Sequence, residues 1–319
     1  MRVDLKENLR KAKDLILENN RIGIFTHTDP DGDAIGCVAA LELALERMEK
    51  DVKAFLQGVV PRNFYFLPLP MFETTLTCNL SLIIVLDCAL VERTGFHEEI
   101  KNLRSAKIIN IDHHPQEDSF GHLNIVDTSS TSTSEIIFYL LEILNIEIDR
   151  ELATYLLTGI FSDTGSFMHS NTTKSSLEIA AKLISKGANI KNIADNIIRR
   201  KNVSTLKLWG RVLTRVKNDR EKGIVSSIIT KKDLEECEAT KADLEGVVNL
   251  INAIPESKAA LLLTEDEDQI KGSLRSEEGG LDVNKLASLF GGGGHIRASG
   301  FRIKGKLRET EDGWEIIEE

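Results

Sequence analysis

Lys107-Ile108-Ile109-Asn110-Ile111-Asp112-His113-His114 is an apolar run that ends on an acid and two imidazoles. Two earlier runs end in a similar way. Ile22-Gly23-Ile24-Phe25 leads into His27, Asp29, Asp31 and Asp33, and Leu82-Ile83-Ile84-Val85-Leu86 leads into Asp87. Nearly continuous Ile, Leu and Val is the composition of strands covered on both faces. Open parallel sheets collect their chemistry at the carboxyl ends of such strands. Three strands that each deliver His or Asp to that edge could build a metal site.

Helical patterns separate these runs. Residues 4–20 place Leu5, Leu9, Ala12, Leu15 and Ile16 on one face, and residues 34–49 place Ile35, Val38, Leu41, Leu45 and Met48 at helical spacing. Residues 52–56 read as a further strand. This alternation is that of an α/β sheet with helical crossovers. After Asp127 a Ser/Thr run precedes an apolar helix over 136–144, and helical pattern dominates from 151 to about 215, including 175–186 and 190–199. Arg199-Arg200-Lys201-Asn202 reads as an exposed joint. Beyond Lys222, residues 223–230, 258–264 and 269–274 look like strands, with Glu265-Asp266-Glu267-Asp268 as a hairpin tip. A helix over 283–290 leads to Gly291-Gly292-Gly293-Gly294-His295 and a strand over 300–303. The expected organisation is an N-terminal parallel-sheet domain over 1–187, a helical linker over 188–205 and a smaller α+β domain over 206–319.

A chain of 319 residues has room for two domains. No apolar run approaches the length of a membrane span, and the charged start Met1-Arg2-Val3-Asp4 lacks the apolar centre of a signal peptide. A cytoplasmic location without a membrane partner is expected. None of the four cysteines forms a C-x-x-C pair, so neither a zinc knuckle nor a thiol redox motif is indicated. Cys37 and Cys88 read as buried free thiols. Proteins that track a long phosphate backbone usually carry a basic surface. The net charge of −10 therefore points to a small piece of nucleic acid in a local pocket, if nucleic acid is handled at all.

Each motif has a plainer reading beside the chemical one. In His27-Thr28-Asp29-Pro30-Asp31-Gly32-Asp33 the plain reading is a loop ending in an Asp helix cap. A strand-end His with two close acids shifts the reading to metal. Asp87 alone would be a turn residue, but its strand-end position makes it a candidate bridging carboxylate. Arg93 could be a surface residue or a phosphate contact, with nothing to choose between them. In Asp112-His113-His114 one imidazole could bind metal while the other faces substrate, with Asp112 as the acid that orients a ring. Asp163 reads on pattern as a turn acid where a helix breaks, and gains weight only because the site needs another oxygen donor. Ser132-x-x-Glu135 is a capping-box pattern, the favoured reading, though a helix start there could also hold a phosphate. The four glycines with His295 could be a linker. Set between a helix and a strand, they instead suit close backbone approach to an anion, with Arg275 completing a phosphate-binding surface. The acidic tail over 309–319 reads as a solvated face or an edge strand.

Together these residues resemble the DHH phosphoesterase family, whose four catalytic motifs match His27-x-x-x-Asp31-x-Asp33, Asp87, Asp112-His113-His114 and Asp163. Arg275-Ser276 and the glycine run Gly292, Gly293, Gly294 with His295 resemble the substrate-binding motif of the family's associated C-terminal domain. The match covers essentially the whole chain. The resemblance implies two divalent ions, usually manganese. His27, Asp31 and Asp87 would hold one ion. Asp33, Asp87, His113 and Asp163 would hold the other, with Asp87 shared, and His114 would stand near the scissile phosphate. It also implies hydrolysis by two-metal activation of a water, and relatives that are often homodimers.

The second domain separates the family's branches. The soluble pyrophosphatases carry a different one, and the RecJ-like exonucleases are larger. The expected function is hydrolysis of very short oligonucleotides and linear dinucleotides such as pApA, with action on 3′-phosphoadenosine 5′-phosphate also within reach. Cyclic di-AMP hydrolysis, RecJ-like exonuclease activity and a non-catalytic nucleotide-binding module are the alternatives.

Overall fold

A computed structural model describes residues 2–310 and 313–317, except 104, 116–118, 200, 245 and 278. The chain forms two compact units, residues 1–200 and 201–319. The segment expected as a linker over 188–205 is divided between them.

In the first unit the order is α1 (Val3–Glu18), β1 (Arg21–Phe25), α2 (Gly32–Arg47), β2 (Asp51–Phe55), β3 (Leu82–Leu86), α3 (His97–Asn102), β4 (Lys107–Asp112) and β5 (Leu123–Val126). Then follow α4 (Thr133–Leu144), α5 (Arg150–Asp163), α6 (Lys174–Ser185) and α7 (Ile190–Ala194). The five strands are parallel, in the order β2-β1-β3-β4-β5. Both faces are covered, as the unbroken apolar runs require. On β3, Leu82, Ile84 and Leu86 face a core built with α1, α2, α4 and α5. Ile83 and Val85 face a second cluster with Phe25, Phe55 and Phe96.

The strand order decides where a site can form. From β1 the chain first adds β2 on one side, then returns to place β3 on the other. Connections leave β1 and β3 in opposite directions, and a crevice opens at their carboxyl ends. Phe25 pairs with Val85 and Leu86 with Ile111, so the residues after β1, β3 and β4 emerge side by side.

The second unit runs α8 (Val203–Thr214), β6 (Lys217–Asp219), β7 (Ile224–Ile229), α9 (Lys231–Glu236), α10 (Val247–Asn252), β8 (Ala259–Asp266) and β9 (Gln269–Arg275). It continues with α11 (Val283–Ser288), β10 (Gly293–Gly294), β11 (Ala298–Lys304), β12 (Lys306–Thr310) and β13 (Gly313–Ile317). A mixed sheet has the order β10-β11-β9-β8-β7-β6, with only β7 and β8 parallel. β12 and β13 form a separate hairpin. The acidic tail thus contributes paired strand. Glu311, Asp312, Glu318 and Glu319 of that tail lie outside the described residues, as does Arg200 of the expected joint. No helix among the described residues is long and apolar enough to cross a membrane.

Candidate metal centre

Three strand ends and two helix ends build one cluster. His27 follows β1, Asp87 follows β3, and Asp112, His113 and His114 close β4. Asp31 caps α2, its carboxylate accepting the Asp33 and Ala34 N–H groups at 3.0 and 3.1 Å. The helix-cap reading of Asp31 and the metal reading are therefore both compatible with its position. Asp163 is the last residue of α5. The donor atoms fall into sets whose members all lie within 4.8 Å of one another: His27, Asp31 and Asp87; Asp33, His113 and Asp163; and Asp87, Asp112, His113 and His114. Asp87 joins two of them.

The individual contacts order this cluster. His27 Nε2 lies 3.6 Å from Asp87 Oδ2, and His113 Nε2 lies 2.9 Å from Asp163 Oδ2 and 3.8 Å from Asp87 Oδ1. Asp112 is fully buried and its Oδ1 accepts three times: from the His113 N–H at 2.7 Å, the His114 N–H at 3.0 Å and His114 Nδ1 at 2.7 Å. One acid thereby fixes both the turn and the ring that follows it. Asp87 adopts φ 58°, the left-handed region uncommon for residues other than glycine. That conformation turns the chain sharply where β3 ends.

Two elements that the sequence did not tie to the carboxylates complete the site. The start of α4 faces the carboxylates: the Thr133 and Ser134 N–H groups donate to Asp33 at 2.5 and 2.8 Å, and the Thr133 hydroxyl donates to Asp87 at 3.0 Å. Orphan N–H groups and the helix dipole both favour negative charge there. Ser132 caps the helix as its pattern predicts, accepting the Glu135 N–H at 3.2 Å. The Glu135 carboxylate closes no box, however, and accepts instead from Thr131 N and Oγ1. The second element is Gly159 on α5. A Cβ there would stand 2.0 Å from Ser134 Oγ and 2.6 Å from Asp33 Oδ1. Only glycine lets α5 pass this close to the buried carboxylate.

The electrostatics call for cations. Asp33 is fully buried, and burial with the charges of Asp87 and Asp163 pushes its carboxyl well above the usual range. Burial, then Asp163 and Asp87, push Asp31 up to about 6. Burial also opposes charge on Asp87, but the neighbouring His27, His114 and His113 imidazoles hold its carboxyl well below the usual range. Despite burial, contact with Asp163 and the charges of Asp87 and Asp33 push His113 well up, and Asp112 and Asp87 raise His114. The raised values at His113, His114, Asp31 and Asp33 all mark a cluster whose acids favour added positive charge. The His27 Nδ1 atom is buried with no hydrogen-bond partner among the described residues. Mixed imidazole and carboxylate donors suit a divalent ion of intermediate hardness.

In the second unit, Arg275 ends β9, where it pairs in register with Ala298 while Gly294 pairs with Ser299. The register gathers Arg275, the glycine run and the His295 turn at one end of that sheet. Arg275 donates to Asn249 Oδ1 and the Leu274 carbonyl, both neutral, and burial lowers its pKa. The glycines are no flexible linker. Gly293 and Gly294 are strand residues, and a Cβ on Gly292 would stand 2.2 Å from the Gly300 carbonyl. Gly293 is different: it is exposed, and a Cβ there would make only an ordinary contact, 3.8 Å from Asn284 Oδ1. Ser276 does not serve as an exposed contact. It is buried, and its hydroxyl donates to the Leu281 carbonyl at 2.7 Å, holding the turn after Arg275.

Residues 21–160 match the N-terminal domain of the DHH family and residues 206–318 the DHHA1 domain. The chain belongs to the DHH phosphoesterase family. It is 34% identical over 288 residues to the bifunctional oligoribonuclease and PAP phosphatase NrnA of Thermus thermophilus, covering 89% of this chain and 84% of the relative. It is 31% identical to the protein of the same description from Bacillus subtilis, covering 88% of each. Among solved structures, an exopolyphosphatase-related protein from Bacteroides fragilis superposes with a TM-score of 0.88 at 28% identity, over 94% of this chain and 92% of that one.

Proposed function

We propose that this chain is a metal-dependent phosphodiesterase that hydrolyses very short oligonucleotides and linear dinucleotides such as pApA to mononucleotides. We include 3′-phosphoadenosine 5′-phosphate among its substrates. The donor cluster centred on Asp87 carries this reading. It occurs in a chain similar over most of its length to relatives described by both activities.

Two ions, with manganese the first candidate, would be held by His27, Asp31 and Asp87 and by Asp33, Asp87, His113 and Asp163. When bound, such ions would supply charge stabilisation on phosphate oxygens and lower the pKa of a water. The chain's own groups do the rest. Asp33 is fixed by the start of α4, so it cannot swing away from the cluster. Asp112 orients His114 and favours its protonated form, which suits donation of a proton to a developing phosphate or leaving oxygen. Arg275, whose partners are neutral, retains its charge for a substrate phosphate, with His295 and the exposed backbone at Gly293 beside it.

The test is steady-state turnover, with manganese, of pApA, 3′-phosphoadenosine 5′-phosphate, short RNA, cyclic di-AMP, pyrophosphate and a long single strand. The first three are expected to be the best substrates. Equal or faster processive digestion of the long strand would overturn the short-substrate reading. No turnover of any of them would favour a non-catalytic binding module.

A further inference from the structure

Arg93 stands out in the sequence, yet the centre described above does not use it. It lies in a short 3-10 turn, Val91–Thr94, between β3 and α3. That turn is fixed against the metal-binding loop. The Thr28 N–H, next to His27, donates to the Arg93 carbonyl at 2.9 Å. From within, the Thr94 hydroxyl donates to the Val91 carbonyl at 2.7 Å and accepts the Phe96 N–H at 3.1 Å. Gly95 ends the turn at φ 77°, packed so that a Cβ would stand 2.4 Å from Gln57 Oε1. The backbone of Arg93 is therefore held at the sheet edge that carries the cluster.

The side chain is exposed, and among the described residues it pairs with no carboxylate. An exposed arginine usually reaches whatever acid is near. This one is rigidly based beside a centre of five aspartates and makes none of those contacts. A guanidinium kept available in this way matches a phosphate delivered from solution, because its fork of donors fits phosphate oxygens. The metal ligands, His114 and the contact proposed for Arg275 account for the phosphate that reacts. Each proposed substrate brings a second one.

We propose that Arg93 binds the substrate phosphate that is not cleaved, the 5′-phosphate of pApA and of 3′-phosphoadenosine 5′-phosphate. This rests on the function proposed above and adds a reason for its short, doubly phosphorylated substrates. The turn positions the charge, and the length between cluster and Arg93 sets which phosphate is cut.

The experiment compares Arg93→Ala and Arg93→Lys with the parent on four substrates, each with manganese: pApA, 3′-phosphoadenosine 5′-phosphate, and the counterparts without the 5′-phosphate, ApA and 3′-AMP. Arg93→Ala should lower kcat/KM for the first pair by roughly tenfold to a hundredfold, the range of a hydrogen-bonded charge contact. The loss should fall mainly on KM and be much smaller for the second pair, with manganese binding unchanged. Arg93→Lys should retain part of the preference, since it keeps the charge and loses the fork. Equal losses on all four substrates, or none, overturn the assignment. If Arg93→Ala does not fold, Arg93→Lys decides by the same comparison. A parent inactive on every substrate overturns the proposed function and this assignment together, whereas an active parent with uniform losses overturns this assignment alone.

Discussion

Asp87 holds the centre together at the scale of single residues. It contacts His27, His113, His114 and Thr133, and sits at a φ that only a well-determined surrounding maintains. Around it, the acids and imidazoles depend on one another for charge. Asp31 shows the consequence for pH. Its carboxyl is raised from 3.8 to about 6, so the metal-free fold binds a proton that the unfolded chain has released. The stability this contributes is complete below the unfolded value and is lost as pH rises through about 6. Cations replace that proton, so the gain in Tm on adding manganese should grow as pH rises through about 6. Calorimetry with and without manganese checks this, and an equal gain on both sides of that pH would contradict it. Asp112 makes a second case. It touches His114 rather than standing in either proposed ligand set, and outer partners of this kind are typically worth about 10–100-fold in metal affinity or activity. Asp112→Asn should cost that much in kcat/KM while the fold remains, as measured by turnover and circular dichroism. His27, Asp31, Asp33, Asp87 and His113 stood out in sequence because each lies beside a strand end or a helix start, whereas Asp163 read as a turn acid and gained weight only from the need for another donor and from the family resemblance. Thr133 did not stand out, because a hydroxyl at the start of a helix looks like ordinary capping until the carboxylate opposite is known.

Among the elements, the buried parallel strands were the readiest to read, since β1, β3 and β4 are unbroken apolar runs. β5 was missed. Its four residues, Leu123-Asn124-Ile125-Val126, carry a polar residue and bury only Ile125, as an edge position permits. The helices α9 and α10 were missed for a similar reason, being six residues each and too short to show a period. The packing of α5 against α2 and α4 was also out of reach, because it rests on contacts distant in sequence. Gly36 on α2 faces the Tyr155 carbonyl, where a Cβ would stand 2.6 Å away, and Gly159 faces Ser134 and Asp33. Gly159→Ala must push α5 outward or displace the Asp33 carboxylate. Overpacking of this kind typically costs about 1–3 kcal/mol. The variant should therefore melt several degrees lower and bind manganese more weakly than the parent, by thermal melts and metal titration. Unchanged manganese affinity would show that α5 does not set the position of Asp33.

On the scale of the whole molecule, the charge of −10 and the size of the substrate belong together. A protein that follows many phosphates releases many counterions, and log K falls by about 0.7 per phosphate for each unit of log salt on single strands. Contacts with two phosphates predict a slope no steeper than about −1.4. Salt titration of KM for pApA measures it, and a much steeper slope would mean an extended track of phosphate contacts. The change of pattern beyond Lys222 pointed to a second unit, but the division at 200 falls inside the segment expected as a linker, where helical pattern runs on across it. The assignment of the chemistry to one unit followed from where the acids cluster. The substrate was never legible from the cluster, because any phosphate ester can meet the same ligands; the contacts proposed for Arg275, His295 and Arg93 bear on it instead. The central claim is that a cluster joined by Asp87 cuts only very short chains. The most direct test is turnover of pApA beside a long single strand at equal phosphodiester concentration, for the parent and for Asp87→Ala, with manganese. The account predicts fast cleavage of pApA, slow cleavage of the long strand, and loss of both in Asp87→Ala. Comparable rates on the two substrates, or activity surviving in Asp87→Ala, would contradict it.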